Sequence, residues 1–475
     1  MISAVVALAT ALVAPTAFAA PADSTAVLTL DQCIEIALGT NPTIKVADME
    51  ITRLDLSRKE TIGQLLPNIS FAGVYSRMIE KQVAYMNMDN FPGLGGATGG
   101  DETDPDAGTR ASSSKGGGNS QGIKMGLDNS YQVGFQASLP IIAPQLWKAI
   151  DLSDTQILQS IETARASRRS LVTQIKTAYY TLMLARDSRE VVMQNLDMAR
   201  FTAGIYQKQF EVGTASRYDV LRANVAVSNI EPELTRAEIA IKQARLQLLL
   251  LMGIGEYIDF EPVGTLADID IDRVKASLDP TFDISANSDL RQLELSTRLL
   301  QNTLKVQQMA WYPTLALSAS YNWTSSSNGN PLRNFRWTPY SVIGLSLNIP
   351  IFEGGQRYNR IKQAQIQVNE MKWQRDNLVN SINTQVNVAY DNIDLNLKQI
   401  ASCNETVTQA SMAHEIVSQS FAIGAASYLD LRDAELSLTT ARLSRVQAIY
   451  DYIIATVNLE QLLGTFDVEP YMPRN

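Results

Sequence analysis

The sequence predicts a mainly α-helical chain that also carries four membrane-type β-strands, organised as an internal two-fold repeat. Three observations predict it. From Gln356 to Phe421 the chain holds neither proline nor glycine. That stretch of roughly 65 residues would reach about 100 Å as a helix, longer than a compact globular domain uses. Just before it, YSVIGLSLNIP places Ser341, Ile343, Leu345, Leu347 and Ile349 on one face and Val342, Gly344, Ser346 and Asn348 on the other. This is the period-two pattern of a strand between two different solvents. The order strand, long helix, glycine turn, descending helix then proves to occur twice.

The long stretch carries its own packing code. Val386, Ile393, Ile400, Val407, His414 and Phe421 recur every seven residues, and Ile382, Ala389, Asn396, Cys403, Ala410 and Val417 form a second row. A sustained seven-residue repeat predicts coiled-coil packing, and the small residues of the second row let neighbours come close. The first half has an equivalent helix, with Leu171, Ala178, Ala185, Val192, Ala199 and Tyr206 on its seam.

In chain order, residues 1–19 read as a secretory signal, an apolar run ending in an Ala-Phe-Ala box; a retained membrane anchor is the alternative. The first repeat, 20–253, opens on one helix that stops before Pro42 and another that stops at Pro67. Strands are expected over 68–78 and 130–140. Between them, residues 80–128 are rich in glycine, serine, aspartate and asparagine, which predicts a long flexible loop. Helices over 145–210 and 217–252 complete the repeat, with an interruption and kink expected at Pro232. Residues 254–285, acidic and broken by Pro262 and Pro280, predict an irregular connecting belt. The second repeat, 286–464, runs through strands 314–323 and 340–349 to helices 356–421 and 428–463, leaving a tail at 465–475. The long helices end in matching turns, FEVGTASRYDVL and FAIGAASYLDL. Phe210/Phe421, Gly213/Gly424, Ser216/Ser427 and Asp219/Asp430 stand in register. Duplication is the simplest account.

Composition narrows the function. A net charge of −9 over 475 residues argues against nucleic acid as a partner. One histidine and two cysteines leave no metal-ligand spacing, and neither a phosphate-cradling glycine loop nor a nucleophile elbow occurs. The sequence therefore predicts no enzyme, no metal and no cofactor. Beyond residue 20 no apolar run reaches the ~20 residues of a spanning helix. Strands of about ten residues suit a tilted crossing, yet lipid tolerates no open sheet edge and the smallest membrane barrels have about eight strands. The chain must pool strands with copies of itself. Tyr75, Tyr131, Tyr321, Trp323 and Tyr340 fall toward the loop ends, and Trp311 and Tyr312 toward the other end, as interface girdles do. An aromatic-capped soluble sheet is the alternative.

This ordered set of features resembles the TolC-like outer-membrane efflux proteins over nearly the whole mature chain. Its parts are the duplicated strand, long helix and V/I-G turn, P-I-F-E-G-G-Q after a strand, and Met252-Gly253 and Leu463-Gly464 closing the halves. The resemblance implies a homotrimer in outer-membrane lipid, whose twelve-stranded β-barrel continues into a periplasmic α-barrel of helical hairpins. It implies the exit duct of a tripartite efflux or type I secretion system, exporting small molecules or proteins. The implied partners are a periplasmic adaptor (membrane fusion) protein and an inner-membrane RND, ABC or MFS pump. Adaptor contacts are implied at the helix tips, Gly213, Thr214, Ser216, Gly424, Ala425 and Ser427, and a periplasmic constriction at Asp430, Asp433 and Phe421. The chain departs from the family where better-known members lock the gate with tyrosine and arginine: it has Phe421 and Ala426. Arg432 and Arg217 are the candidate substitutes, a weaker lock the other option. Aspartates near a helix start also act as caps or dipole partners, a reading that stays open for Asp219 above all. A periplasmic coiled-coil adaptor and a self-assembling structural protein without a channel are the rival readings. The first needs a domain of many short strands that the sequence lacks; the amphipathic strands count against the second.

The two cysteines are expected to stay unpaired. Cys33 lies roughly 34 residues before Pro67, about 50 Å along a helix, and Cys403 about 53 residues after Pro350, about 80 Å. That gap of roughly 30 Å far exceeds the ~7 Å limit for bridged Cα atoms. Cys403 and His414 sit on the heptad rows, which predicts packing rather than chemistry.

Overall fold

The structure is a computed structural model that describes residues 26–85, 122–271, 283–328 and 336–466. The expected signal at 1–19, most of the 80–128 loop and nearly all of the 465–475 tail lie outside the described residues. In order, the main elements are β1 (Ala26–Leu28), α1 (Leu30–Thr40), α2 (Pro42–Gly63), β2 (Asn68–Arg77), β3 (Gln82–Tyr85), β4 (Gly122–Met125), β5 (Asn129–Ile142) and α3 (Pro144–Glu211). There follow α4 (Arg217–Leu251), β6 (Phe260–Pro262), α5 (Ser288–Gln308), β7 (Thr314–Ser327), β8 (Thr338–Asn348), α6 (Gln356–Ala422) and α7 (Tyr428–Leu463). The chain divides into a sheet unit, 59–150 with 305–360, and a helical unit, 1–58, 151–304 and 361–475. No described helix is long and apolar enough to cross a membrane.

In the sheet unit, β2, β5, β7 and β8 form one antiparallel sheet in that order. The register sets Phe71, Phe135, Tyr321 and Ser341 in one cross-strand row and Ile69, Ala137, Ala319 and Ile343 in the next. Directly opposed residues share a face, so one face is apolar apart from small or polar positions such as Ser341. It is also exposed: Ile69 by 70%, Ile343 by 80% and Leu345 by 64%. The opposite face carries Ser70, Gln136, Ser138, Asn322 and Ser346. Near the loop end of the apolar face, Tyr75 stacks on Tyr131 at 4.8 Å and Tyr321 meets Trp323 edge-on at 4.7 Å. Tyr75 Oη donates to Asn129 Oδ1 at 2.8 Å, giving the ring the polar anchor an interfacial tyrosine needs. Tyr340 does not join these aromatics. It pairs with Asn322 on the polar face, where its hydroxyl accepts from Gln132 Nε2 at 3.0 Å. The cause is parity: in β8 the odd positions face the apolar side.

The strands also outrun their apolar alternation. Asn129 still pairs with Ser327 at the loop end of β5 and β7, since backbone pairing extends through TSSS, which carries no hydrophobic signal. Likewise the ends of the stretch expected as one loop pair with each other, Gln82 with Met125 and Tyr85 with Gly122. At the strand-to-helix corner Arg357, 4% exposed, meets Glu353 at 3.0 Å, donates to the Pro350 carbonyl at 3.1 Å and lies 4.7 Å over the Trp311 ring.

In the helical unit the core draws on α1, α3, α4, α6 and α7. Ile34 and Leu38 pack with Ile175, Leu182, Leu248, Ile382, Val386, Ile393, Ile449 and Tyr452. The heptad rows of α6 are buried from Ile382 to Ile400 except at Asn396, which is half-buried, and half-buried from Cys403 to Phe421. Cys33 and Cys403 are both free. Burial pushes the Cys33 thiol up to about 11, as desolvation disfavours the thiolate.

Two helix junctions share one design. Asn41 Nδ2 donates to the Leu251 carbonyl at 2.7 Å while its Oδ1 accepts from Thr43 N at 2.8 Å. Asn287 does the same with Leu462 at 2.7 Å and Asp289 N at 2.9 Å. Each asparagine thus satisfies an orphan carbonyl of one helix and an orphan N–H of the next. Gly464, at φ 66°, lets the chain pass so close that a Cβ there would meet the Ala286 carbonyl oxygen at 2.4 Å.

Two expectations need correction. The 254–285 belt is not wholly irregular, because its β6 pairs in parallel with β1, Phe260 with Ala26 and Pro262 with Leu28. The Tyr179 hydroxyl ties them, donating to the Leu28 carbonyl at 3.1 Å and accepting from Val263 N at 3.0 Å. Three-residue strands show no periodicity, and partners so far apart in the chain leave no local signal. Nor does Pro232 interrupt α4, which continues through it to Leu251. Pro232 is exposed, on a side where a long helix tolerates one missing bond by tilting its carbonyls toward water.

Candidate functional site

The two glycine turns that join α3 to α4 and α6 to α7 are built alike. At the first, Gly213 has φ 80° and donates to the Phe210 carbonyl at 3.0 Å, while Thr214 and Ala215 both donate to Gln209 O, at 2.8 and 3.2 Å. At the second, Gly424 has φ 78° and donates to Phe421 O at 3.0 Å, while Ala425 and Ala426 donate to Ser420 O at 2.8 and 3.2 Å. A left-handed residue folds the chain back onto the last carbonyls, and glycine does so without a Cβ penalty. Gly213, Thr214, Ser216, Gly424, Ala425 and Ser427 are all exposed. Around them, Val212 is 74% and Ile423 82% exposed.

Ser216 and Ser427 then cap the descending helices in reciprocal boxes. Ser427 donates to Asp430 Oδ2 through Oγ at 2.7 Å and through its N–H at 3.0 Å, and Asp430 N donates back to Ser427 Oγ at 3.2 Å. Ser216 and Asp219 repeat this at 2.6, 3.2 and 3.2 Å. Hydrogen bonds from the serine side chain, then from its N–H, hold both carboxyls below the usual aspartate range. Asp433 follows three residues after Asp430 and is exposed, as Asp430 is; that spacing sets them on one helix face.

Phe421 lies half-buried, its ring 5.8 Å from Tyr206. Tyr206 in turn meets Tyr428 edge-on at 5.6 Å, and the Arg222 guanidinium covers Tyr428 at 4.6 Å. One cluster thus joins α3, α4, α6 and α7. Next to it Glu435, 3% exposed, accepts from Thr202 Oγ1 at 3.4 Å and from Arg432 at 3.3 Å. Arg432 therefore engages its own helix, and Arg217 is exposed.

Sequence reasoning missed Tyr428, Arg222 and Glu435 as members of this cluster, and read Tyr206 only as a seam residue. A signal existed. With the turns in register, Tyr206 stands opposite Val417, Tyr428 opposite Arg217, Arg222 opposite Asp433 and Glu435 opposite Asn224. At Tyr206, Tyr428, Arg222 and Glu435 the two halves diverge in chemistry, whereas Phe421 matches Phe210.

The outer membrane efflux protein family model matches two segments, residues 33–254 and 284–465. The chain belongs to that family. Outer membrane efflux proteins similar to it include Outer membrane protein TolC of Escherichia coli (strain K12), 23% identical over 370 residues that cover 73% of this chain and 72% of that one. Pyoverdine export outer membrane protein OpmQ of Pseudomonas aeruginosa is 23% identical over 348 residues, 71% of this chain and 70% of its own. The crystal structure of the Campylobacter jejuni CmeC outer membrane channel superposes with a TM-score of 0.68 at 16% identity, over 92% of this chain and 85% of that one. The mainly helical fold with few strands is therefore that of the TolC-like channels. Family membership places the chain in the outer membrane.

Proposed function

We propose that three copies of this chain form the passive exit duct of a tripartite efflux or type I secretion system, crossing the outer membrane and extending into the periplasm. The observation that carries assembly into a closed barrel is the four-stranded sheet, with one exposed apolar face, one polar face, and β2 and β8 as open edges; the count of three copies comes from the likeness to the TolC-like channels. An open edge in lipid leaves backbone groups unsatisfied at several kcal/mol each, so β2 of one copy is read as pairing with β8 of the next. Three sheets then close a twelve-stranded barrel with lipid outside and water inside. Duplication of 20–253 as 286–464 about the 254–285 connection is supported by the paired asparagine junctions and the matching turns. The duct performs no catalysis in this reading.

The exposed tips at Gly213, Thr214, Ser216, Gly424, Ala425 and Ser427 are proposed to meet a periplasmic adaptor, which couples the duct to an inner-membrane pump. Asp430 and Asp433 are proposed as the constriction, where copies converge and crowded carboxylates attract cations. Phe421 fixes the hairpin that carries them. Molar mass in detergent and heat-modifiable gel migration test the assembly. A trimer that loses its compact migration on boiling is expected; a stable monomer with intact strand content overturns it.

A further inference from the structure

The polar face of the sheet has a property beyond being polar. From Asn68 to Ser76, Ser130 to Pro140, Thr314 to Thr324 and Thr338 to Asn348, no side chain on that face is ionisable at neutral pH. It is made of serine, threonine, asparagine, glutamine, small apolar residues and Tyr340. Two of its amides, Asn322 and Gln132, are turned onto the sheet itself, while Asn68, Gln136 and Asn348 are exposed. Asn322, 5% exposed, lies across Gly134, where an added Cβ would stand 2.2 Å from its Oδ1. Gln132 Nε2 is spent on the Tyr340 hydroxyl at 3.0 Å. Among the described residues, charges flank the strands at their two ends, as with Arg77 at the end of β2, and two pairs form there: Lys81 with Asp128 at 3.0 Å and Arg357 with Glu353 at 3.0 Å.

Pores that sort wide, hydrated cargo by the sign of its charge do so with rings of charged side chains, and low-dielectric walls concentrate counter-ions around such rings. A face of neutral dipoles supplies no fixed charge of either sign and hence no ring of field along the wall. Resting on the reading of this face as a barrel lumen, we infer that the membrane pore is indifferent to cargo charge. Hydrated cargo of either sign passes it, and any charge selection resides in the helical unit.

The test uses single cysteines at Ser70, Ser138 and Ser346, exposed on this face, as Ser70→Cys, Ser138→Cys and Ser346→Cys in a Cys33→Ala, Cys403→Ala background. Ile343→Cys reports the apolar face. The full-length trimer in vesicles is treated from outside with a cationic and an anionic methanethiosulfonate. Each rate is divided by that reagent's rate with a small free thiol. Equal normalised rates, within about threefold, are expected at all three serine positions. A preference of about tenfold or more for either reagent would show a charged lumen and overturn the inference. If the three serine positions resist both reagents while Ile343→Cys reacts, the face assignment fails instead, and with it the barrel reading.

Discussion

The carboxylate of Asp430 is bound to Ser427, taking hydrogen bonds from its Oγ at 2.7 Å and its N–H at 3.0 Å. Asp219 binds Ser216 in the same way, so Asp430 has a helix-starting role that Asp433 does not share. The two aspartates proposed for the constriction are therefore separable. Asp433→Ala is expected to raise single-channel conductance and weaken block by divalent cations, leaving amide protection at the start of α7 unchanged. Asp430→Ala should lower protection over 428–432 as well. Equal protection in the two variants would remove the cap from the account; unchanged conductance and block in the double variant would place the constriction elsewhere.

The same bonds set a pH dependence. Asp430 and Asp219 titrate below their ordinary value of 3.8, chiefly because the serine hydroxyls donate to the charged form. A depressed folded-state value means the stabilisation is complete above the unfolded value and is lost as pH falls through the folded one. Protection factors over 217–221 and 428–432 should thus be flat from pH 7 to about 5 and fall below about 4. A loss centred near pH 6 would implicate another group.

Tyr206 touches both Phe421 and Tyr428, at 5.8 and 5.6 Å. Such ring pairs contribute about 0.5–1.5 kcal/mol each beyond area burial. A double-mutant cycle of Tyr206→Leu with Phe421→Leu should return a coupling of that order, and either variant should loosen the hairpin tips and raise conductance. Coupling near zero with unchanged conductance would mean the contact holds nothing closed.

Gly134→Ala should harm the sheet. Its Cβ would lie 2.5 Å from the Tyr321 carbonyl oxygen and 2.8 Å from Asn322 Cα, both backbone atoms. Overpacking of this kind costs about 1–3 kcal/mol, so the heat-modifiable species should unfold at lower temperature or fail to form. Gly63→Ala, with nothing within 4 Å, is the matched control. Equal behaviour of the two variants would show that β5 and β7 can part to accept a methyl group.

Local chemistry alone determined much of this protein. The absence of proline and glycine between Gln356 and Phe421 specified a long helix, Gly213 and Gly424 specified where the chain turns, and strict alternation in 341–349 specified a two-faced strand. Each of these signals lies within a few turns or residues of the structure it encodes. The tertiary structure decided what depends on distant partners. The pairing of β1 with β6 joins residues more than 200 apart, and two three-residue strands have no periodicity to announce it. The polar extension of β7 to Ser327 exists only because β5 lies beside it. Tyr206, Arg222, Phe421 and Tyr428 meet because two hairpins lie side by side. Tyr206, Arg222 and Tyr428 looked in sequence like ordinary seam or surface residues, and Phe421 stood out only through the matching turns and the family resemblance, since the energy of a ring pair or a cation over a ring comes from the neighbour, which the local sequence does not contain.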